Sequence, residues 1–121
     1  MDDFYFRKLQ VYHKAKKLVG DVYGFVKSFP NNEQFVLGSQ LQRAAISVPS
    51  NIAEGMGRFS MKERIHFIEI SFGSLMEVMC QLELAESLGY ITSEELQAQD
   101  SEIRDIARML IGLRKVFEEK Q

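Results

Sequence analysis

The sequence predicts an all-α protein, an antiparallel up-down-up-down four-helix bundle in which residues 1–121 form a single domain. Three observations carry this expectation. Apolar residues recur at threes and fours in four separate segments, which gathers them on one face of a helix. Two of those segments open with a hydroxyl residue followed three positions later by glutamate, the pattern that caps a helix start. No segment alternates apolar and polar residues over a useful length, so no sheet is expected.

The first helix is expected from about Phe4 to Ser28. Tyr12, Ala15, Val19, Val22, Val26 and Phe29 share one face, and Val11, Leu18 and Phe25 form a second stripe beside it. Pro30 in "FPNN" ends it by disfavouring the helical state at Phe29. Asn31 or Asn32 then caps the second helix, which runs from about Glu33 to Gly55 on Leu37, Leu41, Ala44, Ala45, Val48 and Ile52. "GMG" (55–57) stops it. The third helix opens at "SMKE", with Ser60 and Glu63 as a capping box. Met61, Ile65, Ile68, Phe72, Leu75, Met79 and Leu82 follow, and Gly89 suits the left-handed position after the last turn. The fourth starts at "TSEE", with Thr92 and Glu95 as a second box, and buries Leu96, Ile103, Ile106, Leu110, Leu113 and Phe117. Phe67, Ile70, Val78 and Leu84, with Met109, Ile111 and Val116, lie off these stripes. They read either as wide core stripes or as a second buried face, meaning self-association.

Pro49 sits inside the second helix. It removes the hydrogen bond to the Ala45 carbonyl and crowds that carbonyl, so a bend is expected there. The apolar phase holds from Ala45 to Val48 and Ile52, which favours one bent helix over two. Ser47, Ser50 and Asn51 offer local hydrogen bonds to the freed groups. Gly73 and Ser74 on the third helix are a small pair that lets a neighbour approach. The polar face of the segment carries Arg43, Ser47, Ser50, Glu54 and Arg58. That stripe reads as a site or as a solvated face laced by Arg43–Ser47 and Glu54–Arg58 contacts.

The composition, 45% hydrophobic and 26% charged, is that of an ordinary globular protein. One cysteine, Cys80, rules out a disulfide within the chain and fits a reducing cytoplasm. Beside Met79, it is expected as a core thiol. The opening "MDDFYFRKLQ" lacks a basic region followed by an apolar run, so no signal peptide is expected. No apolar stretch approaches the length that spans a bilayer. The net charge of −2 conceals a division: residues 1–66 hold ten Lys/Arg and six Asp/Glu, and residues 67–121 hold five and eleven. The N-terminal half reads as one of two solvated faces of opposite sign, or as a basic surface for nucleic acid.

The stretches "FPNNEQFVLGSQLQRAAISVPSNIAEGMGRFSMKE" and "FGSLMEVMCQLELAESLGYI" resemble the 23S rRNA intervening-sequence proteins, also called the four-helix bundle protein family. The resemblance runs from "LQVYHKAKKL" to the last helix and is most specific in "QLQRAAISVPSNIAEG" (40–55). It implies a bacterial, cytoplasmic bundle that assembles into a homopentameric ring. A similar bundle, the accessory variability protein of diversity-generating retroelements, is also pentameric and implies a link to nucleic acid. Arg43 and Arg58 match the family's arginines, and Ser50, Asn51, Glu54 and Gly55 match its central motif. Gln42 stands where the family often has a basic residue.

Enzymatic readings find little purchase, and no cofactor or metal is expected. "ERIH" (63–66) supplies one Glu-x-x-His pair of the two a di-iron bundle needs; His66 reads as a polar-face residue. "EGMGR" has neither the preceding strand nor the Gly-Lys-Ser/Thr of a phosphate loop. The expectation is therefore a non-enzymatic oligomer, a pentamer by resemblance, that binds RNA or DNA weakly through Lys14, Lys17, Arg43 and Arg58. Ser47, Pro49, Ser50, Asn51, Glu54 and Gly55 form its central motif. The alternative is a scaffold for a protein partner.

Overall fold

The computed structural model describes residues 4–121, and no strand occurs among the described residues. Four helices form the bundle. Helix α1 is Gln10–Lys27, α2 covers residues 31–56, α3 is Met61–Ser87 and α4 is Ser93–Glu119. Contacts across neighbouring helices pair early residues of one with late residues of the next. Val48, Ser47 and Gly55 of α2 meet Ser71, Ser74 and Phe67 of α3. Glu69 of α3 meets Arg114 of α4. Lys14, Lys17 and Asp21 of α1 meet Asp105, Glu102 and Gln99 of α4.

The first helix does not begin at Phe4. Tyr5–Lys8 forms a short 3-10 turn, and Leu9 is extended at φ −87°, ψ 125° before α1 starts. That break aims the leading segment back along the bundle, so that the Phe6 ring meets Tyr12 edge-on at 4.9 Å and both pack against the core. Along α1 the buried residues are Val11, Ala15, Leu18, Val22 and Val26, drawn from both expected stripes. Tyr12, Val19 and Phe25 flank them, half-buried.

Pro30, not Asn31 or Asn32, caps α2. Its ψ of 145° turns its carbonyl to accept from the backbone N–H groups of Glu33 and Gln34, and its fixed φ suits a helix entry. The Gln34 side chain then donates to the Phe29 carbonyl at 3.1 Å, satisfying a group left free at the end of α1. Residues Gln34–Gly38 widen into a π-turn. Gly38 is buried there because a Cβ would lie 2.7 Å from Val26 Cγ1.

Beyond the π-turn, Ser39–Met56 is one continuous α-helix with Pro49 inside it. Leu41, Ala44, Ala45, Val48 and Ile52 are buried as expected, together with Pro49, Gly55 and Met56. The core stripe of α3 is Ile65, Ile68, Ser71, Leu75, Val78, Leu82 and Ala85. Val78 therefore belongs to the core instead of lying off it. Cys80, two residues on, turns outward and is exposed, which corrects the expectation of a core thiol: two residues are about 200° around a helix. Thr92 forms the full capping box with Glu95, whereas at Ser60 only the serine side chain accepts, from the Glu63 N–H. Gly89 adopts φ +80° after α3, as its position predicts.

Candidate functional site

The central motif of α2 divides among three surroundings. Ser47 Oγ lies 2.7 Å from Ser74 Oγ of α3. Asn51 donates through Nδ2 to the Ser47 carbonyl at 2.8 Å and to its hydroxyl at 2.9 Å. One turn deeper, the buried Ser71 hydroxyl donates to the Val48 carbonyl at 2.9 Å. Gly55 completes this seam, since a Cβ there would stand 2.7 Å from the Cβ of Phe67. Pro49 and Ser50 face the other way, into a shallow groove shared with Tyr12, Lys16 and Val19 of α1. Glu54 and Arg58 lie in solvent, joined by an ion pair of 2.8 Å.

Ser47 thus bonds α2 to α3, Asn51 holds Ser47 from within α2, and Gly55 lets the two helices approach. The Ser47 carbonyl gains the Asn51 amide one residue-pair beyond the Ala45 carbonyl that Pro49 leaves without its usual donor. Among the described residues no ionisable group bonds either hydroxyl of the Ser47–Ser74 pair, so neither has a base to activate it. Likewise, no group of three or more His, Cys, Asp or Glu is arranged to hold a metal among the described residues. His66 is exposed and meets the Phe67 ring edge-on.

The four cations expected to contact nucleic acid do not converge. Lys14 and Lys17 face α4, where Lys14 lies 3.9 Å from Asp105. Lys17 lies 3.2 Å from Asp21 and 3.9 Å from Glu102. The hydrogen bond to Asp21, then the charges of Asp21 and Glu102, hold the Lys17 ammonium above the usual lysine range. Arg43 stands exposed on the outer face of α2. Arg58 lies just past the end of α2, with its guanidinium 4.7 Å over the Phe67 ring.

A different cationic cluster forms where the chain's leading turn meets the α2–α3 loop. Segments 4–8 and 57–64 hold Arg7, Lys8, Arg58, Lys62 and Arg64 with the carboxylate of Glu63, and Glu54 is paired to Arg58 at 2.8 Å. Arg64 Nε donates to the Arg58 carbonyl at 2.8 Å, and its guanidinium sits 6.0 Å over Tyr5 and 5.3 Å over Phe117. These contacts tie the loop to the leading turn and hold a groove of about 510 Å³ between them. Tyr5, Phe6, Met56, Arg58, Phe59 and Arg64 line it. Phe59 is 98% exposed. The available signal was aromatic residues interleaved with basic ones in "FYFRK" and "GRFSMKER"; their approach across the fold has no sequence signature.

The geometry is that of a small helical protein with a cationic, aromatic end, and the comparisons agree with its architecture. No curated protein matches the chain. A solved structure of a protein of unknown function from the S23 ribosomal protein family of Bacteroides thetaiotaomicron matches with a TM-score of 0.80 and 25% identity, over 87% of this chain and 98% of that one. The family model for the 23S rRNA-intervening sequence protein matches residues 7–112. Since that match takes in the seam, the proline-bearing α2 and most of α4, the chain belongs to the 23S rRNA-intervening sequence protein family.

Proposed function

We propose that this protein is a non-enzymatic, self-associating cytoplasmic bundle that binds RNA or DNA weakly through the phosphate backbone. The observation that supports it is the polarity of charge along the bundle. Segments 4–8 and 57–64 carry five cations and the carboxylate of Glu63, with Glu54 paired to Arg58 and Glu118 and Glu119 following Phe117 at the same end, whereas segments 27–36 and 86–95, at the opposite end, carry four carboxylates and the single cation Lys27. Clustered cations displace condensed counterions from phosphates, so binding is salt-sensitive and indifferent to sequence. Arg58 belongs to this cluster, whereas Arg43 is an exposed cation about four turns away along α2. Lys14 and Lys17 contribute less, because α4 carboxylates already lie beside them.

Self-association is supported by Ile70, Leu84, Ile111 and Val116, apolar side chains of α3 and α4 that remain exposed on a single copy. A five-membered ring is the count that the family resemblance implies, and it would repeat the cationic end around one rim and raise avidity. The test is fluorescence anisotropy of a labelled RNA across a salt series, with light scattering on the same sample. The expected result is retention at low salt that falls steeply with salt, on a particle heavier than one chain. A monomer mass at micromolar concentration overturns the self-association.

One observation favours a second reading, a scaffold for a protein partner. Phe35 and Val36, adjacent on the π-turn, are 85% and 63% exposed, and exposed apolar pairs mark protein contacts. Absence of RNA and DNA retention at low salt, with a protein co-purifying, would favour it.

A further inference from the structure

We infer that the cationic end takes unpaired, single-stranded nucleic acid, with Phe59 as a platform on which a base stacks. This inference rests on the proposed nucleic-acid function and narrows its substrate class. A phenyl ring that is 98% exposed forgoes the burial that ordinarily stabilises such a side chain. Among the described residues no ring contact or cation–π contact holds it in place either, whereas the neighbouring rings of Phe67 and Tyr5 are engaged by Arg58 and Arg64. Phe59 lies between those two arginines in the chain and lines the same groove as both guanidiniums and Tyr5. A flat apolar face beside positive charges complements a flat base attached to a phosphate. Duplex nucleic acid offers the phosphates but keeps its bases stacked on each other, so it engages the cations and leaves the ring unused.

Charge and ring therefore make separable contributions. The cations Arg58 and Lys62 serve single strand and duplex alike; Phe59 serves only the single strand. The experiment uses the full chain, fluorescein-labelled single-stranded RNA and DNA of about 20 nucleotides, and a duplex of the same length, since one such site tracks only a few nucleotides. It compares wild type, Phe59→Ala, Phe59→Tyr and Lys62→Glu at matched salt. A second strand carrying 2-aminopurine reports stacking by loss of its fluorescence.

Phe59→Ala is expected to weaken single-strand binding about tenfold, the effect of losing one stacked base. Duplex binding should stay unchanged, Phe59→Tyr should restore the single-strand affinity, and the 2-aminopurine quenching seen with wild type should vanish in Phe59→Ala. Lys62→Glu should weaken both ligands. Equal effects of Phe59→Ala on single strand and duplex, or no effect on either, overturn the inference while the broader reading stands. If Phe59→Ala lowers the particle mass, the ring is a subunit contact and the inference is likewise overturned. If wild type retains neither ligand at low salt, the broader reading fails and takes this one with it.

Discussion

The two ends of the bundle are built from the same materials and differ in chemistry. At the cationic end, the leading turn and the α2–α3 loop bring together Arg58, Lys62, Arg64 and the exposed Phe59. At the other end, the helix termini flanking the α1–α2 and α3–α4 connections carry Glu33, Glu86, Glu94 and Glu95, with Phe35 and Val36 turned outward. Both ends rely on a glycine where helices touch: Gly55 against α3, and Gly38 against α1. Both open a helix with a hydroxyl cap, Ser60 and Thr92. The scaffold is thus symmetrical in its devices; Arg64 and Glu95 also serve it, whereas the exposed Phe59 is surplus to it. Function is best sought in such surplus features, since packing does not explain them.

Substitutions can break or sharpen this contrast. The largest effect is expected at the glycines. At Gly55 an added Cβ meets the Cβ of Phe67 at 2.7 Å, an atom fixed to the α3 backbone. Gly55→Ala should therefore destabilise the fold by about 2–3 kcal/mol, as overpacked seams do, read as a lowered urea midpoint. At Gly38 the nearest obstacle is a γ-methyl of Val26. That group can move by a small backbone or rotamer adjustment, and alanine is the better helix former, so Gly38→Ala should cost about 1 kcal/mol or less. Equal costs at the two sites would mean that the α2–α3 seam yields as easily as the α1–α2 contact.

Charge reversal comes next. Arg58→Glu with Lys62→Glu should weaken RNA binding about tenfold or more and reduce the salt slope by about two. Glu94→Gln at the opposite end should leave binding within about twofold. Anisotropy titrations decide, provided each variant keeps the wild-type mass. The caps should follow: Thr92→Ala with Glu95→Ala removes both halves of a capping box and should cost about 1 kcal/mol. Ser60→Ala removes one hydrogen bond and should cost about half as much.

Among the charge reversals the smallest effect is expected for Lys14→Glu with Lys17→Glu, a fall of about two- to threefold in binding, because those ammonium groups already face Asp105, Glu102 and Asp21. A larger loss there would move the interface to the α1–α4 face.

Much of the architecture was legible in the chain. Four apolar stripes, the Thr92–Glu95 box, the left-handed Gly89 and the passage of α2 through Pro49 are local or periodic features, and each leaves a mark in the order of residues. What escaped is tertiary. The break at Leu9 exists because Phe6 finds Tyr12. The π-turn exists where α2 closes on Val26. Ser71 is buried because its hydroxyl has a partner in the Val48 carbonyl across the seam, which polarity alone argues against. Cys80 was misplaced because the stripe passes through Val78.

The candidate site was the least legible. Lys14 and Lys17 were chosen from a charge balance along the chain, but the fold sets them beside carboxylates eighty or more positions away in α4. Arg58 was chosen by resemblance and does lie in the cationic cluster, whose other members come from the turn before α1 and from the first turn of α3. Ser47, grouped with a polar stripe, instead ties α2 to α3, and Asn51, expected to make local hydrogen bonds, donates to the Ser47 carbonyl within α2.

The central claim is that nucleic acid is held at one end of the bundle. It is tested most directly by ultraviolet crosslinking of the full chain to single-stranded RNA at low salt, with the crosslinked peptides mapped by mass spectrometry. The account expects crosslinks in the segments that carry Tyr5, Phe59 and Arg64, and their loss as salt is raised. Crosslinks concentrated on the α1–α4 face or around Phe35 and Tyr90, or none at any salt, would contradict it.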